Sequence, residues 1–325
     1  MQNTSFMTRR SFVGALSALG MAGHAIAQTD YPRQMIRIVV PYPAGGATDT
    51  LARMMASKLQ DAWGQTVIVD NKPGASGTIG NDMVARAPAD GYTVLMAITA
   101  IVQVPPLMPN LPYDVLRDLQ PLAQVANTNS IFVVPKAAPF KDLKDFVAQA
   151  KSNPGKLNYG SYGVGTSSHI QGSLLNMQAG LDLVHVPYKG AAPLLQDLRG
   201  NQLSSAFIDM ATARPHLDAM KVLAATGKQR NPILPQVPTF AELGYQNFEP
   251  LGWFGLFMPS KVPADVARKF ADESNRILRM PDVVQRIEGL GMSPGGMPTA
   301  EFAKVVRDDA TTYARIIRDA NIRLE

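Results

Sequence analysis

Two glycine-rich segments of the chain combine residue types that can hold an anion. Residues 41–50 read PYPAGGATDT, and residues 158–169 read NYGSYGVGTSSH. Each segment follows an apolar run that predicts a strand and precedes an apolar repeat that predicts a helix. Because the first N–H groups of a helix lack intrahelical partners, such a loop can present amide donors to a negative ligand. A plain strand-to-helix connection has the same pattern, so the first segment alone leaves both interpretations open.

Polar side chains accompany these glycines. We expect Thr48 or Asp49 to cap the first helix, and Thr166 or Ser167 to cap the second. A third glycine turn, NKPGASG at residues 71–77, also follows a predicted strand. It is a candidate for the same crevice, although an ordinary turn would look identical.

Other candidates also have two interpretations. Asp209 follows a predicted strand, where it could hold a polar group of a ligand or cap the next helix. The stretch at residues 188–190 could face the crevice or solvent. Trp253 and Phe254 lie in a predicted strand, where core or hinge packing is favoured over a stacking platform.

The nucleotide-binding motifs are absent from the sequence. Gly160, Gly163 and Gly165 form G-x-x-G-x-G, which is the wrong order for a dinucleotide fingerprint. A phosphate loop with Gly-Lys-Ser/Thr does not occur either. We therefore predict no cofactor.

A serine hydrolase is the rival hypothesis from another class, with Ser161 or Ser168 as nucleophile and His169 as base. The segment YGSYG has Tyr159 where a nucleophile elbow needs glycine. A histidine in the first turn of a helix is more often packed or hydrogen-bonded than catalytic. The sequence therefore favours a protein that is not an enzyme.

Composition narrows the class further. The 325 residues include 31 Lys and Arg, 26 Asp and Glu, 4 His and no cysteine, with a formal net charge of +5. The basic residues are scattered, which argues against nucleic acid as a partner. The absence of cysteine excludes disulfides and thiolate metal sites, and the histidines of the mature chain lack an i, i+4 partner. We predict no metal site.

The N-terminus predicts export. Residues 1–27 contain Arg9 and Arg10, an apolar run and a small-x-small end at Ala25-Ile-Ala27, which is the arrangement of a signal peptide. The segment TRRSFV also resembles a twin-arginine signal. The apolar run is shorter than the roughly 20 residues that span a bilayer. We expect a soluble monomer in the periplasm, without the cysteine that a lipid anchor would need.

The remaining chain alternates predicted strands and helices, which indicates an α/β fold. Two irregular, proline-containing zones, near residues 103–130 and 228–252, enclose a middle section with its own strands and helices. We therefore predict two lobes. The first comprises residues 28–125 and 252–325, and the second, inserted lobe comprises residues 126–251.

Several long motifs in fixed order resemble the Bug (TctC-like) family of solute-binding receptors of tripartite tricarboxylate transporters. They include YPRQMIRIVVPYPAGGATDTLAR, VIVDNKPGASGTIGNDMVARAPADGYTVLM, YGSYGVGTSSH, VPYKGAAPLLQDLRG and PQVPTFAELGY. The resemblance implies a type II periplasmic binding protein fold, a Venus flytrap. Each lobe would be a mixed β-sheet flanked by helices, and two crossing segments would form the hinge.

The resemblance also implies a function and a site. An organic carboxylate would be held between the lobes and delivered to the membrane subunits of a transporter; delivery to a sensor kinase is the alternative. The helix N-termini of the two lobes would face each other across the ligand. By position, the implied ligand-binding residues are Tyr42, Ala44, Gly45, Gly46, Thr48, Asp49, Gly74, Ser76, Gly77, Thr99, Ser161, Gly163, Gly165, Thr166, Ser167, His169, Pro187, Tyr188, Lys189 and Asp209.

One departure from the family pattern concerns the ligand. Ala97, Ile98, Ile101 and Val102 stand where the family tends to carry a polar turn. This favours a ligand with a less polar body, such as an alkyl dicarboxylate or an aromatic one like a phthalate or terephthalate. Packing of these side chains into the core would explain the departure equally well.

Overall fold

The computed structural model describes residues 31–248 and 252–323. The export signal predicted at residues 1–27 lies outside this part of the chain. Among the described residues, two mixed sheets form the centres of two lobes. The chain is thus a two-lobed α/β protein, as the sequence predicted.

The first lobe is built on a six-stranded sheet in the order β11-β4-β10-β3-β1-β2. Its strands are β1 (Ile36–Val40), β2 (Val67–Asn71), β3 (Thr93–Ile98), β4 (Leu119–Thr128), β10 (Gly252–Pro259) and β11 (Ser293–Pro294). Strand β1 pairs in parallel with β2 and β3, whereas β10 is antiparallel to β3 and β4. The carboxyl ends of β1, β2 and β3 therefore lie at one edge, where the glycine loops emerge.

The second lobe contains a five-stranded sheet in the order β7-β6-β8-β5-β9. Its strands are β5 (Ser130–Pro135), β6 (Asn158–Ser161), β7 (Val184–Pro187), β8 (Ser205–Asp209) and β9 (Met220–Ala225). Strand β6 is parallel to β7 and β8, and β5 is antiparallel to β8 and β9. This arrangement again brings the carboxyl ends of the parallel strands to a common edge.

Helices follow most of the strands and cover the sheets. They are α1 (Ala47–Trp63), α2 (Thr78–Ala85), α3 (Ala100–Gln103), α4 (Val115–Asp118), α5 (Leu143–Ser152), α6 (Ser167–Ala179), α7 (Ala191–Arg199), α8 (Met210–Ala213), α9 (Ala264–Leu278), α10 (Pro281–Gly289) and α11 (Thr299–Asp319). Helix α1 shows why they form, because Leu51, Met55 and Leu59 recur at helical spacing and are fully buried. No helix in the described part of the chain combines the length and apolar character needed to cross a membrane.

The chain first passes from one sheet to the other with almost no connecting segment, whereas it returns through the longer stretch between β9 and β10. Strand β4 ends at Thr128 and β5 begins at Ser130, so Asn129 is the only residue between them. The Asn129 side chain donates to the Thr226 carbonyl at 2.6 Å, and its own carbonyl accepts from Met210 N–H at 3.0 Å. The lobe boundaries given above, at residues 125/126 and 251/252, stay a prediction.

The irregular segment before β10 packs on the second lobe through aromatic side chains. Phe240 and Phe248 stack with ring centroids 4.1 Å apart, and Phe207 lies 5.6 Å from Phe240. Aromatic pairs of this kind contribute beyond the apolar area that they bury. A stretch without regular strands or helices is thereby fixed to the core.

Candidate functional site

A small cavity lies between the two lobes, at the carboxyl edges of both sheets. Its volume is about 80 Å³. It is lined by Tyr42, Pro43, Ala44, Gly46, Ala47, Thr48, Ile98, Thr99, Thr128, Ser130, Tyr162, Thr166, Ser167, Ser168, Gly190, Ala191, Ala192, Phe207, Ile208, Asp209, Thr212, Gly252, Trp253 and Phe254. Among these residues Asp209 is the only one with a charged side chain.

The loop between β1 and α1 contributes the first helix N-terminus to this cavity. Gly45 has a φ of 88°, a left-handed conformation that favours glycine, and Gly46 is the N-cap. The first helical hydrogen bond runs from Thr50 N–H to the Gly46 carbonyl at 3.0 Å. The preceding N–H groups of Ala47 and Thr48 have no partner within the described residues and are available to a ligand.

The expectation that Thr48 or Asp49 caps α1 is wrong. Both residues lie inside the helix, and the N-cap is Gly46, which has no side chain to supply a cap. In the sequence GGATD, either the second glycine or one of the Thr-Asp pair could be the N-cap. The backbone conformation decides between them, and the sequence alone does not show it.

Asp49 instead supports the loop from within the first turn. Its carboxylate accepts hydrogen bonds from Gly45 N–H, Arg53 Nε and Asn71 Nδ2, each at 3.0 Å. Burial acts to raise the pKa of Asp49, but these hydrogen bonds outweigh it and hold the pKa below its usual value. The side chain is thus a charged support for the loop, and it is not part of the cavity wall.

The loop between β6 and α6 contributes the second helix N-terminus. Gly163 and Gly165 have φ values of 130° and 80°. Thr166 is the N-cap, as one of the two expectations had it, but its hydroxyl makes no cap bond and donates to the Gly163 carbonyl at 2.7 Å. The N–H groups of Ser167 and Ser168 have no partner among the described residues, so this helix also offers free donors.

Two stacked histidines lie behind the second loop. His169 Nδ1 accepts from Gly165 N–H at 3.1 Å, so the proton of the neutral ring is on Nε2. The ring centroids of His169 and His185 are 4.3 Å apart. Burial lowers the pKa of His169 to about 4, and burial together with the neighbouring His169 lowers that of His185 to about 3. His169 is the packed histidine that the sequence favoured, and it lies outside the cavity wall.

Ser161 belongs to the same buried group. Its Oγ lies 2.7 Å from His185 Nε2, and it is fully buried. The hydrolase hypothesis paired Ser161 or Ser168 with His169, whereas the structure pairs Ser161 with His185 away from the cavity. The described residues therefore place no Ser–His pair where a ligand of the cavity could reach it.

A third helix N-terminus reaches the cavity; the sequence analysis named Gly190 as a residue that could face the crevice, but it did not predict a helix N-terminus there. Gly190 has a φ of 143° and is the N-cap of α7, and Ala191 and Ala192 line the cavity with it. The prediction had chosen the three preceding residues. One of them, Tyr188, donates to Asp197 at 2.6 Å, and burial and this carboxylate raise its pKa to about 12.

A sequence signal for this third terminus did exist. Pro193 is the third residue of α7, where proline removes no intrahelical hydrogen bond, and glycine precedes the helix. Small residues without functional groups gave no chemical reason to select them.

The structure divides the predicted site residues into two groups, and it does not test their role as ligand contacts. The following predicted residues line the cavity: Tyr42, Ala44, Gly46, Thr48, Thr99, Thr166, Ser167 and Asp209. These predicted residues do not line it: Gly45, Asp49, Gly74, Ser76, Gly77, Ser161, Gly163, Gly165, His169, Pro187, Tyr188 and Lys189.

Two of the glycines lie at points where the two lobes meet. A β-carbon added to Gly163 would lie 2.9 Å from the Ser76 hydroxyl oxygen, and one added to Gly190 would lie 3.0 Å from Pro43. Glycine at these two positions lets the second lobe approach the first, so the lobes are closed around the cavity.

Asp209 does cap the following helix. Its carboxylate accepts from Thr212 N–H at 2.9 Å and from the Tyr162 hydroxyl at 2.8 Å. Its negative charge is therefore turned toward donors of its own lobe.

Trp253 both packs and lines the cavity. Its indole N–H donates to Asp309 at 2.7 Å, and its backbone N–H donates to Thr99 Oγ1 at 2.7 Å. With Phe254 and Ile98 it gives the cavity an apolar side. Of the four apolar residues that replace the polar turn, Ile98 lines the cavity, whereas Ala97, Ile101 and Val102 are buried in the core.

The cavity is suited to binding an anion by the main chain. Three helices point their N-termini at it, and its described wall contains no Lys, Arg or His. Within residues 31–248 and 252–323, no group of three or more His, Asp or Glu side chains could hold a metal ion. The site offers amide and hydroxyl donors and an apolar face.

Two α/β lobes that close over a cavity walled by helix N-termini define a solute-binding protein. The sequence profile of the tripartite tricarboxylate transporter family receptors matches residues 51–322. The chain belongs to this family, whose members are periplasmic binding proteins and not enzymes.

Individual relatives agree with this assignment. Protein BugT of Bordetella pertussis is 31% identical over 314 residues, covering 95% of this chain and 96% of BugT. Rpa4515 of R. palustris, solved with adipate, has a TM-score of 0.87 at 29% identity, covering 90% of this chain and 99% of its own. MatC (Rpa3494) from Rhodopseudomonas palustris, solved with bound malate, has a TM-score of 0.84 at 29% identity, covering 88% and 100%.

Proposed function

We propose that the interlobe cavity captures an organic dicarboxylate in the periplasm and that the closed protein delivers it to the membrane subunits of a tripartite tricarboxylate transporter. The carrying observation is that three helix N-termini converge on a cavity whose wall, as far as residues 31–248 and 252–323 form it, has no cationic side chain. Two similar receptors have structures with the dicarboxylates adipate and malate. Delivery to a sensor kinase is the second candidate for the downstream step.

Main-chain donors can supply only part of the binding energy. A helix N-terminus contributes about 0.3–1 kcal/mol to an exposed anion and up to about 2 kcal/mol when partly buried. Micromolar affinity requires about 8 kcal/mol. Charge-assisted hydrogen bonds from free N–H groups and hydroxyls in a closed, dry cavity have to provide much of the remainder.

The apolar side of the cavity limits the chemistry of the ligand body. The side chains of Ile98 and Phe254 have no hydrogen-bonding groups, and the indole N–H of Trp253 is already bound to Asp309. This side of the cavity therefore suits the carbon chain between two carboxylates. Burial of methylene groups is favourable by about 0.8 kcal/mol each. An alkyl or aromatic dicarboxylate therefore fits this wall better than a polyhydroxylated acid.

Calorimetric titration tests the proposal with adipate, malate, terephthalate, citrate and acetate. We expect dicarboxylates to bind and their neutral dimethyl esters to fail, because an ester removes the charge that the N–H groups recognise. Equal binding of acid and ester would overturn the anion hypothesis.

Gly46→Leu is the variant that isolates the site. Gly46 has a φ of −82°, which any residue adopts, and an added β-carbon would have only the Pro43 carbonyl oxygen at 4.0 Å. Because Gly46 lines the cavity, we expect the leucine to abolish binding, with a melting temperature lowered only by the loss of glycine at the N-cap. A matched control is Gly64→Asn at the other end of α1, because Gly64 has a φ of 64° and nothing within 4 Å. Full affinity in Gly46→Leu would place the ligand elsewhere.

A further inference from the structure

A buried amide connects the two lobes beside the cavity. Gln103, the last residue of α3 in the first lobe, is 0% exposed. Its Nε2 donates to Ser167 Oγ at 3.0 Å, and its Oε1 accepts from the same hydroxyl at 3.0 Å. Ser167 is the first residue of α6 in the second lobe and lines the cavity, whereas Gln103 does not.

The surroundings hold this amide in place. On the second-lobe side, a β-carbon added to Gly165 would lie 3.1 Å from Val104 and 3.2 Å from Leu107, so the glycine loop lies directly against the segment after α3. On the first-lobe side, the Gln103 side chain lies near the buried phenol of Tyr313 in α11, where it acts to lower a pKa that burial raises. The amide is thus packed within the first lobe, and its hydrogen bonds reach Ser167 in the second.

We propose that Gln103 is a closure latch: a positioning residue that touches no ligand but holds the N-terminus of α6 against the first lobe when the protein closes. The contact spans 64 residues of sequence and joins the two lobes, so it can form only when they meet. Closure and the correct placement of the Ser167 N–H therefore occur together. The inference rests on the proposed function only where it concerns ligand release.

A latch of this kind acts on the closed state. Opening exchanges the hydrogen bonds between Gln103 and Ser167 for hydrogen bonds to water, and the net loss makes opening less favourable. Because the ligand enters the open form and leaves after reopening, loss of the latch should accelerate dissociation and leave association nearly unchanged.

Stopped-flow kinetics with adipate and malate as probes measure this effect. For Gln103→Leu, which keeps a similar volume without hydrogen bonds, we expect a rise in the dissociation rate of about tenfold and an association rate within about twofold of the wild type. The matched control is Arg214→Gln. Arg214 of the second lobe also bonds across the cleft, to the Glu288 carbonyl at 3.1 Å, but it is exposed, so we expect less than a twofold change.

A double-mutant cycle separates a latch from a structural role. If the two side chains act through each other, Gln103→Leu and Ser167→Ala combined should weaken binding no more than the larger single change. Multiplicative effects, or an unchanged dissociation rate in Gln103→Leu, would overturn the proposal. If Gln103→Leu does not fold, Gln103→Asn keeps a polar amide that is one methylene too short to reach Ser167.

Small-angle X-ray scattering without added ligand tests the latch independently of the ligand's identity. We expect a larger radius of gyration for Gln103→Leu than for the wild type, and an unchanged value for Arg214→Gln. An unchanged value for Gln103→Leu would contradict the latch. Failure of every carboxylate to bind the wild type, with the scattering difference present, would reject the proposed function and leave the latch supported.

Discussion

The two glycine loops that face the cavity use the same device with different chemistry. In each, the third residue of the helix accepts the N–H of the glycine four positions earlier: Asp49 from Gly45, and His169 from Gly165. The first acceptor is the Asp49 carboxylate, which is ion-paired with Arg53, and the glycine that it holds, Gly45, is exposed. The second is a neutral imidazole in a buried stack. A charged carboxylate and a neutral imidazole can thus hold the same loop geometry.

Packing behind the loops differs as much as their chemistry. The sixth residue of α1 is Ala52, which is fully buried, and the sixth residue of α6 is Gly172. A β-carbon on Gly172 would lie 2.0 Å from the Tyr159 ring, which itself stacks on His185 at 5.0 Å. The helix that follows the second loop therefore packs so closely against Tyr159 that a methyl group has no room. The helix that follows the first loop has room for the methyl group of Ala52.

The largest effect that this comparison predicts is that of Gly172→Ala. We expect it to lower the free energy of unfolding by about 2 kcal/mol, because an overpacking cost at the upper end of about 1–3 kcal/mol outweighs the roughly 1 kcal/mol that alanine gains in helix propensity. Denaturant titration measures the change. Ala52→Gly is the matched reverse control, with an expected cost of about 1 kcal/mol plus the small term for one buried methyl group. A more stable Gly172→Ala variant would show that the Tyr159 ring moves aside easily.

A smaller effect is the dependence of stability on acid pH. Above about pH 4.5, we expect the histidines behind the second loop, and no group of the first loop, to make the free energy of unfolding fall as the pH falls. Unfolded histidine titrates near pH 6.5, whereas the folded pKa values are about 4 for His169 and about 3 for His185. Between these values the unfolded chain binds more protons, so the free energy of unfolding falls as the pH falls, by about 1.4 kcal/mol per pH unit for each histidine.

His169→Asn tests this assignment. The asparagine Oδ1 can replace Nδ1 as the acceptor for Gly165 N–H, but it does not titrate. We expect urea titrations between about pH 6 and about pH 4.5 to show a slope reduced by about one proton. Asp49→Asn should leave the slope unchanged in this window, because the pKa of Asp49 is below its usual value and its protonation occurs at lower pH. A slope unaffected by His169→Asn would contradict a neutral, buried imidazole.

The smallest effect concerns the charged support of the first loop. Asp49→Ala should cost about 1–2 kcal/mol, because the Gly45 N–H and the Asn71 amide lose their acceptor. Arg53→Gln should cost less than about 0.5 kcal/mol, since the Arg53 side chain is 55% exposed in the ion pair. Thermal or chemical denaturation compares the two. Equal costs would mean that the ion pair, and not the hydrogen bonds, supports the loop.

Local patterns in the sequence were sufficient for the two loops and for the alternation of strands and helices. The glycines at 45, 163 and 165 are where a positive φ is needed, and a strand before and a helix after each loop are local signals. The helix N-terminus that follows Gly190 was not predicted, because Ala191 and Ala192 carry no functional group. The positions of His169 and Ser161 behind the loop were beyond local reasoning, since they depend on how β6, β7 and α6 pack together.

Contacts between the lobes could not be predicted either. The Ser76–Gly163 approach and the Gln103–Ser167 bond join residues far apart in sequence, and neither member of a pair carries a motif for the other. Gln103 in particular lies in an apolar stretch of sequence, where a single amide does not indicate a helix face, a strand face or a contact. Its contact with Ser167 depends on how the two sheets lie relative to each other.

The single-residue passage through Asn129 limits how this receptor can move. A connection without slack allows the lobes to rotate about a few backbone dihedral angles, but it gives them no length with which to slide past each other. The motion expected of such a connection is a rotation of the lobes about Asn129, which would return the three helix N-termini to the same alignment at each closure.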